Sequence, residues 1–127
     1  VAFEIAASAS SGKEEVQNAI DGDPATRWST HETQRSGQWF MADMGVERPV
    51  AKITLDAGSE GDDYPRGYEV YISSDPNDWG DPVASGEGSE QVVEIAFPPT
   101  TGRYVKIVQT GQHSQMWWSI CELRVAE

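Results

Sequence analysis

The chain has 127 residues and carries nine Lys and Arg against twenty-one Asp and Glu, a formal charge of −12. This length suits one domain that buries roughly two-thirds of the surface its unfolded chain exposes. The acidity repels phosphate backbones and anionic head groups, which argues against nucleic acid and membrane as partners; no run of about twenty apolar residues is present to span a bilayer, and a single cysteine, Cys121, rules out an intrachain disulfide.

In chain order, Val1 opens abruptly, without the basic, apolar and small-residue order of a signal peptide, so the chain is expected to be a module taken from a longer protein. Ser11-Gly12-Lys13-Glu14 fits a capping box ahead of Val16, Ala19 and Ile20, which predicts about two turns of helix. Asp21-Gly22-Asp23-Pro24 stops that helix in a turn.

Beyond this point the period becomes two. Ala51, Ile53 and Leu55 alternate with Lys52, Thr54 and Asp56; Tyr68, Val70 and Ile72 with Glu69, Tyr71 and Ser73; Val93, Ile95 and Phe97 with Glu94 and Ala96. Each segment reads as a strand buried on one face, and 39–44, 104–108 and 120–125 are further candidates. Turn-rich segments fall at 57–63, 74–81, 85–89 and 98–102. Many short strands and one short N-terminal helix predict an all-β antiparallel β-sandwich, whose loops gather distant residues at its two ends.

Three constellations can carry chemistry. Asn18 to Thr26 is dense in oxygen: Asp21, Asp23 and the Thr26 hydroxyl sit in a tight turn, which fits either a plain Asx turn or a loop around a hard cation. The five tryptophans form the second. Trp28, Trp39 and Trp79 are expected in the core. Trp117 and Trp118 are neighbours, and neighbours on a strand face opposite ways, so one of them must be presented outward. Trp117 is the residue chosen for stacking on a sugar ring. The third set comprises polar groups in candidate loops, namely His31, Glu32, Asp56, Asp63, Tyr64, Arg66, Gln112 and His113, whose donors and acceptors suit sugar hydroxyls. Arg66 has the alternative of pairing with Asp56 or Asp63. No nucleophile elbow, zinc-protease helix or Walker loop is present, and two carboxylates among twenty-one do not define a glycosidase.

Several blocks together resemble a family. Ala19-Ile20-Asp21-Gly22-Asp23-Pro24-Ala25-Thr26-Arg27-Trp28-Ser29-Thr30, Gln38-Trp39-Phe40, Pro65-Arg66-Gly67-Tyr68, Gly102-Arg103-Tyr104 and Trp118-Ser119-Ile120-Cys121-Glu122 are similar to discoidin-like (coagulation-factor type C) domains, and within them to family 32 carbohydrate-binding modules. The resemblance implies a galactose-binding-domain-like jelly roll with a structural calcium held by Asn18, Asp21, Asp23, Thr26 and either Cys121 or Glu122. It implies a sugar site in loops at one end of the sandwich, placed here after Trp28, after Leu55 and before Trp118. It further implies a monomeric, extracellular, bacterial module, covalently linked to a glycoside hydrolase or lyase and binding an oligo- or polysaccharide. The Tyr64 to Tyr68 block and the Trp-Trp-Ser-Ile ending resemble modules of glucan-degrading enzymes, which points to a neutral glucan such as a β-1,3-glucan. The alternatives are an adhesion domain for a protein or lipid, and a galactoside module; for the latter no Asn stands near Tyr68 to join His31, Arg66 and Trp117.

Overall fold

The period-two segments form strands, but they fuse into longer ones than their apolar runs indicate. The computed structural model describes residues 6–23 and 25–127, so Pro24, expected to fix the turn after the helix, lies outside the described residues. In chain order the elements are β1 (Ala7–Ala9), a 3₁₀ helix (Lys13–Ala19), β2 (Trp28–Thr33), β3 (Trp39–Asp56), β4 (Tyr68–Ser73), β5 (Ala84–Gly86), β6 (Val92–Gln109), β7 (Trp117–Ile120) and β8 (Glu122–Ala126).

β3 joins the strands expected at 39–44 and 51–56, and β6 runs through 98–102, which was expected to turn. Backbone pairing explains the continuity: Arg48, Pro49 and Val50 lie opposite Gly102, Thr101 and Thr100, with register shifts on either side. Such irregularities bend a strand without ending its ladder, and Gly45 adopts a left-handed φ of 79° at the corner. The first half of β3 and the second half of β6 therefore lie with β1, β4 and β5, whereas the remaining halves lie with β8. A sheet that folds over at such a corner supplies both layers of a sandwich.

Both layers feed one core. Phe40, Ala42, Val70, Ile72, Val105 and Ile107 meet Ile53, Leu55, Val93, Ile95, Leu123 and Val125 in a single cluster. β2 and β7 pair separately as a two-stranded ribbon and add Trp28, Trp118 and Ile120 to that cluster. The Trp28 ring lies 5.0 Å from both Phe40 and Trp118, edge-on to the latter. The all-β sandwich with a short N-terminal helix is thus the observed architecture.

Two local expectations fail. The capping box does not form: the helix starts after Gly12, which sits at φ 64° with no side-chain cap. The reason is crowding. A Cβ on Gly12 would lie 2.0 Å from the Ser29 carbonyl oxygen, while the Ser11 carbonyl is engaged by the Trp28 indole N–H at 3.0 Å. Trp39 and Trp79 also leave the core. Phe40 and Ala42 take the inward positions of β3, so Trp39 faces outward and only half-buried, and Trp79 folds over the same outer face from the segment after β4.

Trp118 is fully buried. Trp118→Ala is expected to cost about 3–5 kcal/mol, seen as a lower urea midpoint with an unchanged slope.

Candidate functional site

The β2–β7 ribbon sets two functional regions at opposite ends. Trp28 pairs with Ile120 at one end and Thr33 with Trp117 at the other. Three residue steps along β7, at about 3.3 Å each, separate them by roughly 10 Å. The oxygen-rich loop enters at the first end, and the candidate sugar residues gather at the second.

At the second end the ribbon carries an insertion. Ser29 pairs with Ser119 and Thr33 with Trp117, so Thr30, His31 and Glu32 stand opposite Trp118 alone. Thr30 holds the bulge closed, its hydroxyl accepting from the Trp118 N–H at 3.3 Å and donating to the Glu32 carbonyl at 2.7 Å. His31 takes a φ of 57°, a left-handed conformation unusual for a non-glycine residue. That conformation turns its ring outward, 4.9 Å from the Trp117 ring, where Nε2 donates to Glu15 Oε1. Trp118 faces the core and Trp117 is half-buried, as strand alternation requires.

The loops around Trp117 are tied by two buried amides. Gln34 donates from Nε2 to the carbonyls of Tyr64 and Trp117, at 2.8 and 3.0 Å. Its Oε1 accepts from the Arg66 N–H and from Gln109 Nε2, both at 3.0 Å. Gln109 Oε1 in turn accepts from the N–H groups of Gly67 and Gly111. The His113 N–H donates to the Gln34 carbonyl. His113 Nδ1 accepts from the Gln115 and Met116 N–H groups, which leaves Nε2 as that ring's outward donor. Tyr64, Arg66, His113 and Trp117 therefore belong to one end of the molecule.

Two members of the expected sugar set are engaged differently. The Arg66 guanidinium lies 3.8 Å above the Tyr64 ring and donates to the carbonyls of Asp62 and Tyr64, so it pairs with neither Asp56 nor Asp63. Asp56 is not at this end at all. It closes β3 opposite Glu122, caps the Gly58 N–H and faces Arg124 at 3.9 Å, because the 57–67 loop carries the chain from one end of the ribbon to the other. Glu32 accepts from Arg35 at 3.1 Å and from Gln38 Nε2 at 3.1 Å.

Asp63, buried in that same loop, accepts from Ser119 Oγ at 2.6 Å and from Arg27 at 3.3 Å. Burial is the largest influence and raises its pKa; the Ser119 hydrogen bond and then Arg27 oppose it. Ser119 also bonds Ser29 at 2.9 Å, so the network spans the ribbon.

At the first end, oxygen atoms converge. The Thr26 hydroxyl lies 2.5 Å from Asp21 Oδ2, 3.2 Å from the Asp23 carbonyl and 3.5 Å from the Asn18 carbonyl. Glu122 reaches across from β8, accepting the Gly22 N–H at 3.1 Å. Its pKa is raised, first by burial and then by the Asp21 charge. Among the described residues no group of three or more His, Cys, Asp and Glu side chains is placed to hold a metal. Two carboxylates with neutral carbonyl and hydroxyl oxygens nonetheless fit calcium, which accepts such mixed oxygen sets. The Asp23 side chain caps the Ala25 N–H, so its carbonyl is the oxygen it would offer to an ion. The Cys121 thiol is buried, donates to the Thr26 carbonyl at 3.1 Å and has its pKa pushed up by burial. A protonated sulfur is a poor ligand for a hard ion, which leaves Glu122 as the last strand's side-chain candidate.

Glu15, Gln34 and Gln109 escape the sequence reading as members of these sites. Glu15 sits in the helix sixteen residues before its His31 partner, and a buried Gln carries no periodic signature. The proximity of Gly67 and Gly111 offers a trace: a Cβ on Gly111 would meet the Gly67 nitrogen at 2.5 Å.

The fold and this loop-borne end together define a β-sandwich ligand-binding module. The chain belongs to the F5/8 type C domain family, whose profile matches residues 4–123. It is 32% identical over 127 residues to a galactose oxidase of Gibberella zeae, covering 93% of this chain and 18% of that protein. The chain thus spans less than a fifth of that relative. Its structural neighbours are carbohydrate-binding modules. The CBM32 of AlyQ, solved with 4,5-unsaturated mannuronic acid, is 29% identical with a TM-score of 0.80, covering 100% of this chain and 98% of that one. Chitosan-binding module 2 of a chitosanase/glucanase from Paenibacillus sp. IK-5, solved with chitotriose, is 26% identical with a TM-score of 0.84, covering 99% and 98%.

Gln109→Leu would strand the Gly67 and Gly111 N–H groups and remove one of the two donors to Gln34 Oε1. Each buried group left unpaired costs about 1–3 kcal/mol, so urea unfolding should show a loss of several kcal/mol at most, with faster amide exchange at 64–67 and 110–117. Asp63 generates a pH dependence. Its stability contribution is full below the unfolded value of 3.8 and is lost as pH rises through the raised folded value. Urea midpoints measured from about pH 4 to about pH 6.5 should fall more steeply in the wild type than in Asp63→Asn.

Proposed function

We propose that this chain is a non-catalytic carbohydrate-binding module that holds a polysaccharide for an enzyme attached elsewhere in the same protein. The observation that carries the reading is Trp117, presented outward at the loop end with His31 packed against it. An indole face stacks on the C–H face of a pyranose while flanking polar groups take its hydroxyls. His31, Glu32, His113 and Glu15 are those groups, with Tyr64 and Arg66 forming the adjoining wall. The module acts outside the cell as a monomer joined to a bacterial glycoside hydrolase or lyase; the link to such an enzyme is supported by the chitosanase/glucanase and the AlyQ alginate lyase, which carry similar modules.

A neutral glucan such as a β-1,3-glucan is the preferred ligand, because Arg35 is paired with Glu32 and Arg66 Nη1 is turned to two carbonyls beside the Tyr64 ring, so neither is aimed at a sugar carboxylate. One observation favours a second reading. Glu15 and Glu32 give this end acceptors for protonated glucosamines, and a neighbour of similar architecture was solved with chitotriose. Isothermal titration with laminarin oligomers, chitotriose and galactose separates these readings. Affinity on the order of 10⁻³ to 10⁻⁵ M is expected, given the cost of immobilising a small ligand. Trp117→Ala should weaken binding at least about tenfold, or roughly 1.4 kcal/mol. Absence of heat with every glycan, alongside capture of a protein or lipid ligand that ignores this substitution, would favour an adhesion domain.

The oxygen-lined loop is read as a structural calcium site, held by Asp21, Thr26, Glu122 and the carbonyls of Asn18 and Asp23. A bound ion would cross-link the loop after the helix to β8. Calcium bound only to the native state raises stability by mass action, so chelation should lower the Tm and Asp21→Asn should remove the calcium-dependent part of it. A Tm indifferent to both calcium and chelator contradicts the assignment.

A further inference from the structure

The outward face of the sheet, which adjoins the loop end through Gln38 and Gln109, carries a second set of aromatics around a cation that has no carboxylate partner among the described residues. Across β3, β6 and β4 the register aligns Trp39 with Val108 and Glu69, Met41 with Lys106 and Tyr71, and Asp43 with Tyr104 and Ser73. These positions are half-buried, whereas their neighbours Phe40, Ala42, Val105, Ile107, Val70 and Ile72 point into the core. Trp79 folds onto this face, its ring centroid 6.4 Å from both Tyr71 and Tyr104 and steeply inclined to each. Lys106 Nζ lies 5.3 Å from the Trp39 ring and 5.5 Å from the Trp79 ring. Tyr71, Trp79, Gly80, Lys106 and Val108 line a cavity of about 380 Å³ between them. Pockets of a few hundred Å³ with apolar walls and one or two fixed polar groups are the usual form of a small-ligand site.

The cation of this face that lacks a carboxylate partner selects the ligand. In a chain with twelve more carboxylates than cations, the neighbouring Arg103 is held by Asp43 in a two-point pair at 2.8 and 3.0 Å. Glu69 accepts the Tyr71 hydroxyl at 2.9 Å, and both Glu69 and Asp81 place negative charge beside Tyr71 at the border of the face. Lys106 has no carboxylate within ion-pairing distance among the described residues. Its ammonium lies over two indole rings, and cation–π contact leaves N–H donors for a ligand.

We propose that this face is a second sugar-binding surface, taking a hexuronate unit of an acidic polysaccharide with its ring against Trp79 and Tyr71 and its carboxylate on Lys106. This site is independent of Trp117. The excess negative charge of the module opposes such a ligand at long range, but salt near 0.15 M screens charges beyond about 8 Å and leaves the direct contact standing.

The test uses trigalacturonate and its fully methyl-esterified form, which keeps the rings and removes the charge. Titrations are followed by ¹⁵N–¹H spectra that resolve the indole N–H signals, with the Tm of each variant recorded. In the wild type and in Trp117→Ala, the acid should shift the Trp39 and Trp79 indole signals and bind at least fivefold tighter than its ester. Lys106→Gln, a surface change that leaves the core untouched, should abolish that preference. Trp79→Leu should weaken both forms at least fivefold. The proposal is overturned if the acid moves only the Trp117 signal, if acid and ester bind alike, or if Lys106→Gln keeps full affinity at an unchanged Tm. No response of the Trp79 signal to millimolar acid overturns it as well.

Discussion

The hydrogen bond between the Gln34 and Gln109 side chains, buried beneath the loop end, is the constraint on which the rest of that end depends. A buried amide is costly unless its donors and acceptor are met. Here both Gln34 donors, both acceptors and the adjoining N–H groups of Arg66, Gly67 and Gly111 are mutually satisfied. Loop backbone that would otherwise need water is thereby held dry against the sandwich. The arrangement fixes where Tyr64 and Trp117 leave the scaffold, since it is their carbonyls that Gln34 grips. It also explains two glycines by space, because Gly67 and Gly111 approach more closely than any side chain would permit.

The second determinant is the bulge in the β2–β7 ribbon. Without the residues inserted opposite Trp118, His31 would continue the strand and alternate into it. With them, Thr30 keeps the ladder closed while His31 turns over to meet Trp117. Bulges re-aim side chains in this way at binding sites. The strained φ of His31 costs on the order of 1–3 kcal/mol, offset by the Glu15 contact and the ring packing. The same ribbon places the oxygen-lined loop at its far end, so the two regions share a scaffold and not a surface.

Much of the fold is legible because alternation is a physical consequence of the pleat. Ile53 and Leu55, Val70 and Ile72, and Val93 and Ile95 are buried as their spacing requires, and the same rule separates Trp117 from Trp118. The failures are equally physical. Apolar periodicity records burial of side chains and is blind to backbone pairing, so it splits β3 and β6 where their outward residues turn polar. Ser11 to Glu14 satisfies a capping pattern, yet the close approach of Ser29 to Gly12 overrides local propensity. Trp39 and Trp79 were assigned inward by residue type, whereas strand phase governs Trp39 and the fold of the 74–83 segment governs Trp79. Of the site, the outward indole and the oxygen loop could be read from residues near each other in the chain. Glu15 and the two glutamines could not, because their roles depend on partners 16 to 83 residues away.

Arg27 connects what the ribbon separates. It follows Thr26 in the oxygen-lined loop, and its guanidinium reaches Asp63 at 3.3 Å and Ser119 Oγ at 3.2 Å. Asp63 precedes Tyr64, whose carbonyl is held by Gln34. A continuous line of charge-assisted and neutral hydrogen bonds therefore runs from one end of the ribbon to the other, through a carboxylate whose desolvation is only partly offset by its partners. Replacing such a line with apolar residues would often cost little stability, so its use lies in position. It sets the height of the 57–67 loop against β7, and with it the wall that Tyr64 and Arg66 present beside the Trp117 indole.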